Sequence, residues 1–474
     1  MTRKLVVIPN RSNYVLAWCL EYAINLKSLG FTVDLLDMSR LNARYIQKPN
    51  RWLIDNASSR KSTARKKSIK HICNEFGLTD LTSSISLTSK VQRDFASQDI
   101  QEYFYTAVRS SYARWFGSSD IEISDIPETL FEYEKLSFIR IYDQVSKLLK
   151  LNDYSELSTV NGRFVPDAAA VLAALEAKVP YRVLEKMTED WSHFVPFTVS
   201  AQSLPERDQI IDHEWKQEDK AGREEKISIA VEYLKLRTSE EWAWERNSHA
   251  VLPEDIDLKK PYAVFYLTSD WEFPVFGEES SSVFMTQVQS VTTVSLICLE
   301  NEVQLVVKGH PHPGESRLSA IEDRKWRIIC EKLGILYVPC DSGVRSLQLA
   351  DKSYCNFVHG STLAIDFVVN KLPVIATTPS DYTTLIPEIC AFDEVQIRRL
   401  FQNLPKPIEP SRLYSWAFSA IKAGIPMRHF EIREDMQVAF KGELIDQPIR
   451  IFIKIRALFA RLMSRTGHGV GERF

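Results

Sequence analysis

Several absences narrow this chain before any motif does. No charge sign dominates: 62 Asp+Glu stand against 59 Lys+Arg, a formal net charge of −3. That balance excludes a protein that coats nucleic acid through its overall charge, while local basic patches stay open. The 16 Gly and 21 Pro follow no period, which excludes collagen-like and low-complexity classes. The seven Cys (19, 73, 298, 330, 340, 355 and 390) form no C-x-x-C and are odd in number, so reduced thiols in a cytoplasmic compartment are expected. The opening apolar run, Leu5–Ile8, is too short for a signal peptide. The longest uncharged stretch, Ser280–Leu299, carries Gln287, Gln289 and many Ser/Thr, and reads as a buried helix rather than a membrane span. Neither a P-loop, an H-E-x-x-H, a G-x-S-x-G nor a Rossmann G-x-G-x-x-G is present. Asp255-Ile256-Asp257 matches a D-x-D but precedes a strand instead of following one, so it reads as linker and no metal site is expected.

What is there is a large soluble body of 474 residues, 45% hydrophobic and 26% charged, long enough for two or three domains. Leu5–Ile8 reads as a strand, Tyr14–Leu29 as a helix stopped by Gly30, and Phe31–Leu36 as a second strand. Residues 42–150 are mostly helical and polar, with six Lys/Arg between Arg60 and Lys70. The α/β rhythm resumes with a strand at Leu157–Val160, a helix from Pro166 to Lys178 and a strand at Tyr181–Leu184. A mixed-charge tract, Glu218–Lys226, reads as a solvated helix. The second half alternates five apolar strands (262–267, 303–307, 335–338, 354–358, 373–376) with four helices, the pattern of a doubly wound parallel sheet. The expected architecture is α/β. It has an N-terminal domain over 1–250 with a helical insertion at about 42–150, a second α/β domain over 251–445, and a basic amphipathic segment over 446–474.

Ligands of such sheets sit outside the carboxyl ends of the strands, so three loops carry the chemistry. Lys308-Gly309-His310-Pro311-His312-Pro313 offers a fixed cation and an imidazole on a stiffened loop, suited to phosphate. His359-Gly360-Ser361-Thr362 leads straight into a helix, where Gly admits close approach and the first amides face outward. Asp366 follows one turn later, within reach of a ribose hydroxyl or else solvated. Thr268-Ser269-Asp270-Trp271-Glu272-Phe273 combines hydroxyls, carboxylates and aromatics.

Taken in succession, Ser269-Asp270-x-Glu272-Phe273, Gln287, Lys308-x-His310-Pro311, Asp341-Ser342, Gly360-Ser361-Thr362-x-x-x-Asp366, Lys371-x-Pro373 and Tyr382 resemble bacterial capsule and surface-polysaccharide glycosyltransferases of the GT-B fold. Asn161-Gly162-Arg163-Phe164 through Glu185 is similar to an N-domain segment of the same group. The resemblance implies two Rossmann-like domains facing across a cleft. It implies a nucleotide-sugar donor held at phosphate by Lys308, His310, Gly360, Ser361 and Thr362, at ribose by Asp366, and flanked by Ser269, Asp270 and Glu272. The group usually has Glu where this chain has Asp366. A catalytic base belongs at an N-domain strand end, where Glu185 stands, with the Glu189/Asp190 pair as the fallback; Asn161 and Arg163 are expected at the acceptor. Cationic side chains stabilise the departing phosphate, so neither a metal nor a cofactor beyond the donor substrate is expected.

The acceptor implied is a glycan or lipid-linked glycan. The basic tracts at 60–70 and 450–465 suit contact with the anionic inner face of the cell membrane. A strand or a terminal helix packed on the N-domain is an equal expectation for Ile449–Arg465. Two other classes stay open: a transferase of glycerol-phosphate type units, and a non-catalytic nucleotide- or carbohydrate-binding protein.

Overall fold

The computed structural model describes residues 2–9, 12–38, 65–82, 95–116, 122–189, 191–200, 202–217, 222–239, 252–253, 256–269, 286–310, 316–340, 342–433 and 437–445. Asp190, Asp255, Asp270, Glu272, His312, Asp341 and the basic segment 446–474 lie outside the described residues.

The chain opens with β1 (Arg3–Ile8), α1 (Asn13–Ser28), β2 (Thr32–Asp37), a helix α2 over residues 65–76 and the two-residue β3 (Thr79–Asp80). Helices α3 (Gln98–Phe116) and α4 (Glu128–Leu151) precede β4 (Tyr154–Val160), α5 (Val165–Glu176), β5 (Tyr181–Glu185) and β6 (His193–Phe197). Helices α6 (Leu204–Lys216) and α7 (Arg223–Arg237) lead to β7 (Tyr262–Tyr266), α8 (Gln287–Glu300), β8 (Gln304–Lys308), α9 (Ser316–Leu333) and β9 (Leu336–Val338). Then come α10 (Ser346–Asp351), β10 (Cys355–Val358), α11 (Leu363–Val369), β11 (Val374–Ala376), α12 (Glu394–Gln402) and α13 (Tyr414–Lys422). Short strands β12 (Ile425–Pro426), β13 (Phe430–Ile432), β14 (Val438–Phe440) and β15 (Glu443–Leu444) follow.

Local chemistry explains the main boundaries. Gly30, at φ +89, supplies the left-handed turn that ends α1. Pro166 occupies the first turn of α5, where its missing N–H leaves no partner stranded. Thr286 and Gln289 cap each other's backbone at the start of α8.

One sheet runs β12-β6-β5-β4-β1-β2-β3 and a second β11-β10-β7-β8-β9. In the first, β1 to β5 pair in parallel, while β6 and β12 extend the edge antiparallel. Counted within each sheet, the parallel strands take one order: third, second, first, fourth, fifth. This is the doubly wound pattern, and each sheet has a switch point between its first and fourth strands, β1/β4 and β7/β10. β13-β14-β15 form a small antiparallel sheet.

Alternation along the strands feeds separate layers. Leu5 and Val7 join α3, α4 and α5 on one face, and Val6 and Ile8 join α1 and α2 on the other. In the second sheet Ala263 and Phe265 meet α8, α9 and α12. Tyr262, Val264 and Tyr266 enter a core that also holds Ile211 of α6 and Ala230, Tyr233 and Leu234 of α7. The helices just before residue 250 thus bury their apolar sides against the second sheet. Residues 425–433 and 437–445 return to the first: β12 pairs with β6, and Phe430, Val438, Phe440 and Ile445 join the core of α1 and α2.

In the described part of each charged tract one cation is buried and the other charged residues are exposed. Lys226 is 2% exposed, and its ammonium closes the end of α6 by donating to the carbonyls of Glu214 (2.7 Å), Trp215 (3.2 Å) and Gln217. In α2, Arg65 is buried against Asp37 (3.3 Å), while Lys66, Lys67 and Lys70 are exposed. Ser68 Oγ donates to the Ile445 carbonyl at 3.2 Å, so the point from which the basic tail departs is held beside that helix. Among the described residues no helix is long and apolar enough to cross a membrane, and all seven cysteines are free.

Two glycines separate backbone strain from steric clash. A Cβ on Gly424 (φ +95) would lie 2.4 Å from the Phe194 carbonyl oxygen, whereas one on Gly30 would meet nothing within 4 Å. Gly424→Ala is predicted to lower unfolding free energy by roughly 2–4 kcal/mol. Gly30→Ala meets only the backbone penalty, roughly 1 kcal/mol. Urea titration of both variants measures the difference; equal losses would contradict the assignment of the clash.

Candidate functional site

Three loops leave the carboxyl ends of the second sheet. Lys308 is the last residue of β8 and 5% exposed. Gly309 follows with no room for a side chain: a Cβ there would sit 2.7 Å from Tyr337 Oη and 2.9 Å from both Cys340 N and Sγ. Asp323 of α9 fixes that wall, accepting from Tyr337 Oη (2.5 Å) and from the Cys340 amide (3.0 Å). The close approach explains the glycine between Lys308 and His310. Ser269, fully buried after β7, places Oγ 3.5 Å from His310 Nδ1. The buried Gln287 holds the same loop by its backbone, accepting from the Thr268 amide (2.7 Å) and donating to its carbonyl (3.0 Å).

The loop after β10 starts from a buried imidazole. His359 Nδ1 lies 2.9 Å from Thr377 Oγ1 and 3.4 Å from Ser290 Oγ, and burial pushes its pKa down to about 3. It is a neutral strut, not a cation. Gly360 turns the chain at φ +67, and the Ser361 carbonyl accepts from the buried Tyr382 hydroxyl at 3.1 Å. Ser361 Oγ accepts from the Leu363 amide (3.3 Å), leaving Thr362 exposed at the head of α11. Only β7 separates β8 from β10, so the His310 and Gly360 loops leave the sheet roughly 10 Å apart, two strand spacings.

Asp366 occupies a different place from either expectation. It is 4% exposed, and both carboxylate oxygens are engaged by Arg237 of α7, at 2.7 Å from Nε and 3.1 Å from Nη2. The same guanidinium donates to Thr362 O (3.2 Å) and Oγ1 (3.3 Å), to Glu189 Oε1 (3.2 Å) and to Tyr233 Oη (3.3 Å). Burial opposes its charge, but the Asp366 carboxylate and Tyr233 together hold the Arg237 pKa above its ordinary value. Two rings, Tyr233 and Trp416, flank it.

Beside this guanidinium lies a cavity of about 400 Å³. Lys186, Thr188 and Glu189 enter it from the loop after β5, Arg207 from α6, Thr362 from the head of α11 and Asp381 from the loop after β11. Arg207 and Asp381 form an ion pair at 3.5 Å. Glu189 is 45% exposed at its side chain, with Oε1 also accepting from Tyr233 Oη at 2.5 Å. Glu185, the expected base, is elsewhere: Oε2 accepts from Asn161 Nδ2 (2.7 Å) and Oε1 from the Lys186 amide (3.1 Å). Asn161, at φ 59, also accepts from the Arg163 amide (3.3 Å), and the Arg163 guanidinium lies 4.9 Å over the Phe164 ring. The fold therefore joins Ser269 with His310, and Asn161 with Glu185. It brings Thr362 to Glu189 rather than to Glu185.

No protein-family model matches the chain, and no curated protein matches it. Several solved structures resemble it in part. KpsC of Thermosulfurimonas dismutans, a beta Kdo 2,4 transferase, is 11% identical, with 56% of this chain and 80% of that one covered and a TM-score of 0.38. A UDP-GlcNAc 2-epimerase of Methanocaldococcus jannaschii in complex with UDP-GlcNAc and UDP is 8% identical, with 88% and 98% covered and a TM-score of 0.26. MnaA of S. aureus with UDP is 13% identical, with 89% and 92% covered and a TM-score of 0.26. At these scores the likeness carries no functional argument, and the chemistry rests on this chain's own residues.

Sequence patterns missed Arg237, Arg207 and Asp381. The available signal was slight: Tyr233 and Arg237 stand four apart, on one helical face. Nothing local distinguishes that arginine from the exposed Lys235 beside it.

Two outcomes test the site. Arg237→Met leaves Asp366 buried without its partner and is predicted to destabilise the chain by about 3–5 kcal/mol, whereas Arg237→Met with Asp366→Leu recovers much of that loss. Chemical denaturation of the single and double variants measures this. The pKa of His359 lies below its ordinary value of 6.5 when folded, so the unfolded chain binds the extra proton first. Stability from the neutral ring is complete above pH 6.5 and is lost as pH falls toward 3. His359→Gln should remove up to about 1.4 kcal/mol per pH unit from the acid limb of the stability profile.

Proposed function

We propose that this chain is a glycosyltransferase that moves a sugar from a nucleotide-sugar donor to a carbohydrate hydroxyl, in bacterial capsule or surface-polysaccharide synthesis. One observation carries it. Two sheets share the same doubly wound order, and a cavity of about 400 Å³ is walled by loops from the carboxyl ends of both. That is where a GT-B enzyme closes its donor and acceptor domains on each other.

In this scheme Lys308, His310 and the amides of Gly360–Thr362 hold the donor phosphates. A separation of roughly 10 Å between those loops suits a ligand of nucleotide size. Ser269 orients the His310 ring, with Asp270 and Glu272 nearby in sequence. Asp366 acts through Arg237, positioning Thr362 rather than touching ribose. The acceptor oxygen attacks the anomeric carbon, and the bond from that carbon to the phosphate oxygen breaks. The nucleotide leaves with the electron pair, its growing charge met by Lys308 and His310. A carboxylate takes the acceptor proton. Glu189 suits that role better than Glu185, because it lines the cavity with one oxygen anchored by Tyr233 and Arg237. Asn161 and Arg163 border the acceptor side, and the exposed lysines of α2 with the basic tail favour work beside an anionic inner-membrane surface.

His310→Ala is predicted to abolish donor-dependent transfer with the fold intact, a loss of at least roughly 10²-fold. Glu189→Gln is predicted to reduce kcat by about 10²–10⁴ with little change in donor affinity, while Glu185→Gln changes kcat far less. Mass analysis of products from a panel of nucleotide sugars provides the readout. Wild-type turnover by His310→Ala sinks the donor site, and release of cytidine monophosphate with a polyol-phosphate product replaces glycosyl with phosphoryl-unit transfer.

A further inference from the structure

A second cavity, of about 460 Å³, opens between α1, the end of α2 and the segment from Gly424 to His429. It shares no lining residue with the first. Its wall combines Lys27 of α1, Arg428 and His429 with Asn25 and Ser28, while Ile24, Phe76, Ile425 and Pro426 supply an apolar side.

One of the basic groups, His429, is set up differently from an ordinary surface charge. Glu21, 2% exposed, commits both oxygens to His429: Oε1 to Nδ1 at 2.8 Å and Oε2 to the backbone N–H at 3.0 Å. That pairing fixes the ring plane and leaves Nε2 as the available edge. Phe76 braces the ring edge-on, with centroids 5.0 Å apart, and the side chain stays 31% exposed. The preceding backbone is pinned as well, because the Met427 amide donates to the Ser192 carbonyl at 2.8 Å. Gly424 admits the close approach to Phe194 that builds this wall. Lys27 and Arg428 have no carboxylate partner among the described residues. Both side chains only donate hydrogen bonds, so the wall offers charge and donors with the one acid already committed.

We propose that this cavity binds a phosphate ester. Lysine, arginine and histidine on two stretches of wall match a group with several charged acceptor oxygens, where a carboxylate needs only one guanidinium fork. The apolar side and the volume leave room for a small organic body such as a sugar or polyol. The ester's source is either a soluble sugar phosphate or a lipid headgroup, and α2, which exposes Lys66, Lys67 and Lys70, ends at this cavity with Phe76.

The test uses the full chain carrying His310→Ala, which disables the phosphate-binding loop proposed for the first site. Glucose 6-phosphate is titrated calorimetrically, and phosphatidylglycerol and phosphatidylcholine vesicles are compared by sedimentation. Lys27→Gln with Arg428→Gln should weaken the responding probe at least tenfold without changing Tm. Saturable glucose 6-phosphate binding with that loss assigns a soluble ester. Selective phosphatidylglycerol binding with that loss assigns a headgroup. The proposal is overturned if neither probe binds, or if binding is unchanged in the double variant.

Discussion

A single buried guanidinium organises the candidate active site. Arg237 reaches the loop after β5 through Glu189, the head of α11 through Thr362, and the body of α11 through Asp366. Its side chain is 4% exposed, and the cost of burying its charge is offset by Asp366 held beside it and by an acceptor for every nitrogen. A lysine has neither the reach nor the fork to engage three segments at once. The geometry of the cavity between the two sheets follows from this tie, since Glu189 and Thr362 lie on its wall and are both held by the same group.

Around it the second sheet sets spacing and the loops set proximity. The strand order puts the His310 and Gly360 loops on either side of β7. Gly309 lets one loop lie against Tyr337 and Cys340, and the neutral His359 props the other from beneath. The charged groups are thus borne on backbone that has little freedom to move, which is what electrostatic stabilisation of a leaving phosphate requires. The proposed glycosyl transfer would draw on both loops and on the anchored carboxylate of Glu189.

Much of this was legible in the chain itself. The alternation of apolar strands and helices over 262–376 marked the second sheet strand by strand, and carboxyl-end placement singled out Lys308, His310 and Gly360–Thr362. Periodicity reads burial within an element but not which surface that element meets. It therefore read Lys226 as solvated when it caps α6, and took Asp366 for a ribose ligand or a solvated acid when it is half of a buried pair. It reads Glu185 from its place at a strand end, which is visible in sequence, whereas side-chain direction, which is not, puts Glu189 on the cavity wall.

The sequence by itself determined the α/β class, the strands and the loop chemistry, since these follow from local patterning, turn residues and the position of polar groups after apolar runs. Only the tertiary structure decided that α6 and α7 belong to the second core, that β12 and the strands β13 and β14 return to the first, and that Glu21 meets His429 across 408 positions. Those outcomes come from burying apolar faces and pairing buried charges with whatever the fold brings near. No local pattern encodes the partner at such separations.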